Sequence, residues 1–181
     1  MSTVPTLTDD VLRARVNALV AHFGRVQRER MVGLPLLNPV LQVEAVGFEW
    51  GALEDPATCP VAEGVLITPW FMSLVRLPAL VLPPGNQVTR STVRRFGQER
   101  FDFIGAHDVS VGFHETCALF SPMFGFSHQA HARETALASL ALTRAAPETP
   151  LAPQAPQATP APAVHPARRA FLLGRTAGAT P

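Results

Sequence analysis

Lysine is absent from this chain, cysteine occurs only twice, and charged residues make up just 16% of it. Each shortage excludes something. Because all 15 basic residues are arginines, every cation is a planar fork able to hold a carboxylate with two hydrogen bonds. Two cysteines, Cys59 and Cys117, are too few for a disulfide framework or a four-thiolate metal centre. A formal net charge of +1 gives no global pull toward nucleic acid or an anionic lipid surface. The longest apolar stretch, residues 64–84, carries Arg76 and is cut by Pro69, Pro78 and Pro83. It therefore lacks the ~20 uninterrupted apolar residues of a membrane span, and no stable membrane insertion is expected. The opening MSTVPTLTDDVLRARV has no basic segment leading into an apolar core, which predicts a cytoplasmic protein with reduced thiols.

What is present suits one folded domain with an appendage: 181 residues, 47% of them hydrophobic, can bury a core. Residues 8–32 read as a helix, with Thr8 as cap, Asp9 and Asp10 at its positive end, and Leu12, Val16, Leu19, Val20 and Phe23 at helical spacing. Arg13, Arg15, Arg25 and Arg28 fall largely off that stripe. From residue 41 the period shortens toward two. LQVEAVGFEW, VAEGVLIT, LVRLPALVLP, RFDFIGAHD and VSVGFHETCALF each predict a strand, and the apolar face of the first switches, which predicts a bulge near Ala45. A second helix is expected after Ser127 as cap, with Ala136, Leu137, Leu140 and Ala141 inward. The fold class is thus α+β: an antiparallel sheet of about five strands packed with an N-terminal and a C-terminal helix over residues 1–146. Residues 147–166 hold seven prolines and read as a Pro/Ala-rich linker of polyproline character, followed by an arginine-rich apolar tail at 167–181.

Catalytic and metal constellations are weak. His114, Glu115 and Cys117 could suggest a small cysteine-dependent hydrolase or redox protein. On a strand, however, residues three apart point to opposite faces, so His114 and Cys117 do not meet. Cys117, in register with Val109, Val111, Phe113 and Leu119, reads as a core residue. Cys59 falls in a loop. His128, His131 and Glu134 share a helix face, yet nothing elsewhere completes a metal shell, so no metal or other cofactor is expected. His107 and Asp108 read as a turn. Arg90, Arg94, Arg95 and Arg100 read as a solvated strand edge that discourages edge pairing rather than as a nucleic-acid surface. By contrast, Met31 to Val75 contains no arginine and five acids: Glu44, Glu49, Glu54, Asp55 and Glu63.

Two bends are loaded with adaptable apolar side chains. Thr68, Pro69 and Trp70 have the order of a cap and first turn, followed by Phe71 and Met72. FSPMFGFS, residues 120–127, repeats the design around Pro122 and Gly125. Methionine and aromatics together suit a surface that accepts varied apolar partners, although the same residues could seal the ends of the sheet.

The segments PLLNPVLQVEAVGFEW, GVLITPWFMSLVRLP, CALFSPMFGFS and the terminal RRAFLLGR resemble the HybE/HupJ family of [NiFe]-hydrogenase assembly chaperones. The resemblance implies a small α+β domain without cofactor or catalysis. It implies a role in maturing the hydrogenase small-subunit precursor, which bears a twin-arginine export signal, with the large subunit as a second partner. Some relatives carry a rubredoxin; this chain has no CxxC. A receptor for paired arginines beside an apolar stretch needs carboxylates next to an apolar groove. On that basis Trp70, Phe71, Met72, Met123 and Phe124 are expected to line the groove, with Glu44, Glu49 or Glu63 contacting the arginines. Arg168, Arg169, Phe171 and Leu172 in the tail repeat the order of such a signal. Self-occupancy of the groove and permanent docking on the sheet both stay open.

Overall fold

The computed structural model describes residues 8–52 and 59–145. The linker and tail expected after residue 146 lie outside the described residues, as do Glu54 and Asp55. Helix α1 (Asp9–Arg30) opens the fold, capped by Thr8, whose hydroxyl accepts from the Val11 N–H. Acids in its first turn and Arg28 and Arg30 in its last match the helix dipole. Six strands follow: β1 (Glu44–Trp50), β2 (Val61–Ile67), β3 (Met72–Pro78), β4 (Ser91–Phe96), β5 (Glu99–Asp108) and β6 (Gly112–Phe120). They form one antiparallel sheet in the order β1-β2-β3-β6-β5-β4, and α2 (Gln129–Arg144) closes the domain.

The sixth strand, beyond the five expected, is β4. Its arginines mark the polar edge of the sheet, but it also alternates inward and ends on the fully buried Phe96. β6 starts at Gly112 rather than Val109, because Asp108 Oδ1 accepts from the Ser110 N–H at 2.8 Å and turns the chain. Val109 sits at the exposed tip, and Val111 packs on the opposite side from Cys117. The bulge predicted near Ala45 lies between Val46 and Glu49, where Gly47 takes φ +61°. Gly47 also lies so close to α2 that an added Cβ would come within 2.5 Å of Leu140 Cδ1. The bulge sends Val46 to one face and Phe48 and Trp50 to the other.

The helices cover opposite faces. Leu19 of α1 packs with Ala62, Leu66, Val75 and Leu77, while Ala132, Ala136 and Leu140 of α2 pack with Val65, Ile67, Leu74, Phe96 and Phe103. Two sequence expectations shift here. The inward stripe of α2 is Ala132, Ala136, Leu140 and Thr143, leaving Leu137 and Ala141 outside, and the cap is His128, one residue later than Ser127. On an alanine-rich helix two apolar stripes compete, and the one with small residues lets the helix lie close to the sheet. Arg15, expected outside, is buried and donates to Pro78 O (2.8 Å) and Val111 O (2.6 Å), satisfying carbonyls at the ends of β3 and the hairpin turn.

The sheet curls. The Gly97 N–H, in the β4–β5 turn, donates to Glu63 Oε2 on β2 at 3.1 Å, although three strands separate β2 from β4 in the sheet. Four flat strand spacings would measure roughly 19 Å. The turn is therefore drawn over the α2 face, and Gln98 N–H donating to Thr143 O at 2.7 Å ties it to the end of the helix.

Candidate functional site: two joined bends and an acidic flank

At the first bend Thr68 Oγ1 accepts from the Phe71 N–H (2.9 Å) and the Trp70 N–H (3.3 Å). The hydroxyl acts as a cap would, yet the chain passes straight into β3 without a helical turn. The three bulky side chains diverge because they leave successive positions of a turn running into a strand. Met72 enters the α2-side core and is 0% exposed. Phe71 turns to the α1 side and meets Phe23 edge-on at 5.5 Å. Trp70 stays half-buried, 5.6 Å from Phe71 and 6.5 Å from Phe23.

The second bend follows β6, whose Phe120 pairs with Met72 of β3, so both bends share one end of the sheet. Asn38, in the α1–β1 connection, joins them. Its amide donates to Met123 O (2.9 Å) and Phe126 O (2.8 Å), while its own N–H donates to Pro69 O (2.8 Å). Met123 is completely buried and Phe124 is 57% exposed. Met72 and Met123 thus support the surface from beneath and do not line it, since burying them holds the bends onto the core. Beside the second bend lies a hollow of about 380 Å³ lined by Phe120, Pro122, Gly125, Phe126, His131 and Thr135. Phe120 stands edge-on to Phe126 at 5.3 Å. Asn38, this hollow, and the exposed Leu34, Leu36 and Val40 escaped the sequence reading. Their only signal is the aperiodic LPLLNPVL run, in which a lone asparagine sits among apolar residues.

The three acids have separate fates. Glu44 pairs with Ile67, next to the first bend, and accepts from Arg133 (2.6 and 3.2 Å) and Gln129 (2.6 Å) on α2. Burial pushes its carboxyl up, but these hydrogen bonds outweigh that and hold it below its ordinary value. Gln129 and Arg133 occupy one flank of α2, and His131 and Thr135 the other, so Glu44 and the hollow bracket the first turns of the helix. Glu49 lies further along β1, largely exposed and paired with Arg144 at 2.8 Å. Glu63 is buried and belongs to a ladder of alternating charge across four strands. Arg76 meets Glu63 at 3.4 Å and Glu115 at 2.9 Å, and Arg94 meets Glu115 at 2.8 Å. With its other oxygen on Gly97 N–H, Glu63 is committed to holding the curl and does not reach the surface.

His114 and Cys117 lie on opposite faces of β6. The His114 ring packs near Phe23 with Nδ1 3.1 Å from Gly112 O, and Cys117 packs with the α2-side cluster. Burial, and then the charge of Asp102, push the Cys117 thiol up, away from the thiolate a nucleophile needs. His128 caps α2 by accepting from the His131 N–H at 3.1 Å. No group of three or more His, Cys, Asp or Glu converges among the described residues. No described helix is long and apolar enough to cross a membrane.

The family described as "[NiFe]-hydrogenase assembly, chaperone, HybE" matches residues 14–174. The chain is 43% identical over 171 residues to Protein HoxT of Cupriavidus necator, covering 89% of both. It is 38% identical over 133 residues to the hydrogenase expression/formation protein HoxT of Azotobacter vinelandii, covering 72% of this chain and 80% of that one. The solution structure of HybE from Escherichia coli shares the fold, with a TM-score of 0.53 at 22% identity over 91% of both chains. A match running through α1, the whole sheet and α2 makes this chain a member of the HybE family of [NiFe]-hydrogenase assembly chaperones.

Proposed function

We propose that this chaperone works without catalysis and holds the hydrogenase small-subunit precursor by its twin-arginine signal segment before export, with the large subunit as a second partner. The observation that carries the reading is the pairing of an apolar hollow with a carboxylate across the first turns of α2. Phe120, Phe124 and Trp70 offer apolar contact, with Phe71, Met72 and Met123 beneath or behind them. Glu44 offers a carboxylate already shaped for a guanidinium, because Arg133 occupies it in the free protein and a client arginine can replace Arg133 in the same fork. Glu49 is a second reachable acid, whereas Glu63 acts from inside. This distribution suits a weak, reversible grip of the kind an assembly factor must release.

The test is co-purification of the tagged full-length protein from cells expressing the precursor with and without its signal segment. Capture should need the segment, and Phe124→Asp should abolish it while the thermal melt stays unchanged; Glu44→Arg should abolish it too, in a protein that melts lower because Arg133 loses its partner but is still folded at the assay temperature. Equal capture of the precursor lacking the segment would remove the reading.

A further inference from the structure

The ladder between β5 and β6 stops halfway. Pairing runs from Asp108–Gly112 to Ile104–Thr116. Beyond that point Glu99–Phe103 pair only with β4, and Cys117–Phe120 pair only with β3. The cause is the curl: with Gly97 bonded to Glu63 and Gln98 bonded to Thr143, the β4–β5 hairpin is pulled over α2 and β5 leaves β6 after Ile104. A seam opens inside the sheet, bordered by Phe101 on one side and Cys117, Leu119 and Phe120 on the other.

Free strand edges hold unpaired N–H and C=O groups and template another extended chain. The outer strand β4 is guarded by the exposed Arg95 and by Arg90 just before it, but the inner edge of β6 carries no charge from Thr116 to Phe120. Phe120 at its end is 41% exposed and forms one wall of the hollow. Across the seam β5 exposes Glu99, Arg100 and Asp102, with Glu99 on the α2 face beside Phe101 and Asp102 on the opposite face, where among the described residues it is held only by the Ser91 hydroxyl at 3.4 Å. A backbone edge, an apolar wall on the α2 face and a carboxylate on the other face together describe one kind of occupant.

We infer that the edge of β6 at Cys117–Phe120 takes an extended, apolar, arginine-bearing segment of the client as an added strand. Backbone hydrogen bonds to β6 supply the grip, one bulky apolar side chain enters the hollow beside Phe120 on the α2 face, and an arginine next to it, pointing to the other face, meets Asp102. The inference rests on the reading that the client is such a polypeptide and adds how it is held: by its backbone, which makes recognition tolerant of side-chain sequence.

The probe is a synthetic peptide of the precursor's signal segment, bound to the full-length protein. Amide exchange at those residues of Cys117–Phe120 whose N–H faces the seam should slow at least tenfold on binding. Of two peptides N-methylated on alternate residues in opposite registers, one should lose at least tenfold in affinity and the other little, since only one set of N–H groups faces β6. Thr135→Arg, filling the hollow from the exposed flank of α2, should weaken binding at least tenfold without moving the melt. Binding with unchanged exchange at Cys117–Phe120 and equal affinities for both methylated peptides would overturn strand addition and leave the client assignment standing. Absence of any peptide binding would overturn both.

Discussion

Replacing Asn38 with alanine tests how the two bends are held together. The wild-type amide serves Met123 O and Phe126 O at 2.9 and 2.8 Å from a side chain that is buried, and its own oxygen accepts from Val40 N–H at 3.2 Å. Alanine keeps the Asn38 N–H bond to Pro69 O but leaves the Phe126 carbonyl without its donor and the Met123 carbonyl with the Phe126 N–H alone, at 3.2 Å. One buried acceptor left unpaired costs roughly 1–3 kcal/mol, and that is the expected loss. In a domain of this size the melting temperature falls by about 3–10 °C. The assay is urea and thermal unfolding followed by circular dichroism, read beside client capture. Asn38→Asp supplies the internal control. Near neutral pH its carboxylate would face two carbonyl oxygens and cost more than alanine does. Such repulsion raises the carboxyl pKa of the folded state, so the variant regains stability as pH falls and a protonated donor returns. A loss below about 1 kcal/mol for alanine, or an Asp variant no worse than Ala at neutral pH, would refute the claim that this amide holds the bends.

The charge ladder makes the next prediction: Arg76→Ala removes the guanidinium from the buried Glu63 and leaves Glu115 with Arg94 alone, and should cost about 3–5 kcal/mol in urea unfolding. Adding Glu63→Gln should recover part of it, and no recovery would show that charge is not the cause. Burial pushes both His114 and His22 below the ordinary histidine value of 6.5. The unfolded chain therefore binds more protons in that range, and stability present above about pH 6.5 is lost as pH falls. Urea midpoints should drop from about pH 7.5 to about 5.5, and less steeply in His114→Gln; an identical drop in that variant would clear His114. Replacing Cys59 and Cys117 together with alanine should leave client capture within about twofold, and Cys117 in the native protein should alkylate more slowly than in urea at the same pH, because its thiol is pushed up. Loss of activity in the double variant would favour thiol chemistry instead.

Much of this architecture is local and was legible from residues alone. Thr8 with Asp9 and Asp10 sets the start of α1, the short apolar runs VAEGVLI and MSLVRLP, punctuated by Pro60, Pro69 and Pro78, set two strands that are buried on both faces, and the three-residue offset of His114 and Cys117 separates them whatever the partners. The apolar bends were also visible as composition, and the acids as a run without arginine. Where Met72, Met123 and Glu63 finally point was not visible, because burial depends on which strands become neighbours. Arg15 shows the same limit: nothing around it in sequence marks the Pro78 and Val111 carbonyls, 63 and 96 residues away, that draw it inside. The choice of Ala132 and Ala136 over Leu137 as the inward stripe of α2 needed the sheet against which the helix lies.

Periodicity, caps and punctuation, which act over a few residues, thus determined the helices, most of the strands and the absence of a catalytic pair on β6. Tertiary structure alone decided the curl of the sheet, the seam that the curl opens between β5 and β6, and which carboxylates face outward. Those features arise from contacts between residues distant in the chain, such as Gly97 with Glu63 and Asn38 with Met123, whose geometry no local pattern encodes.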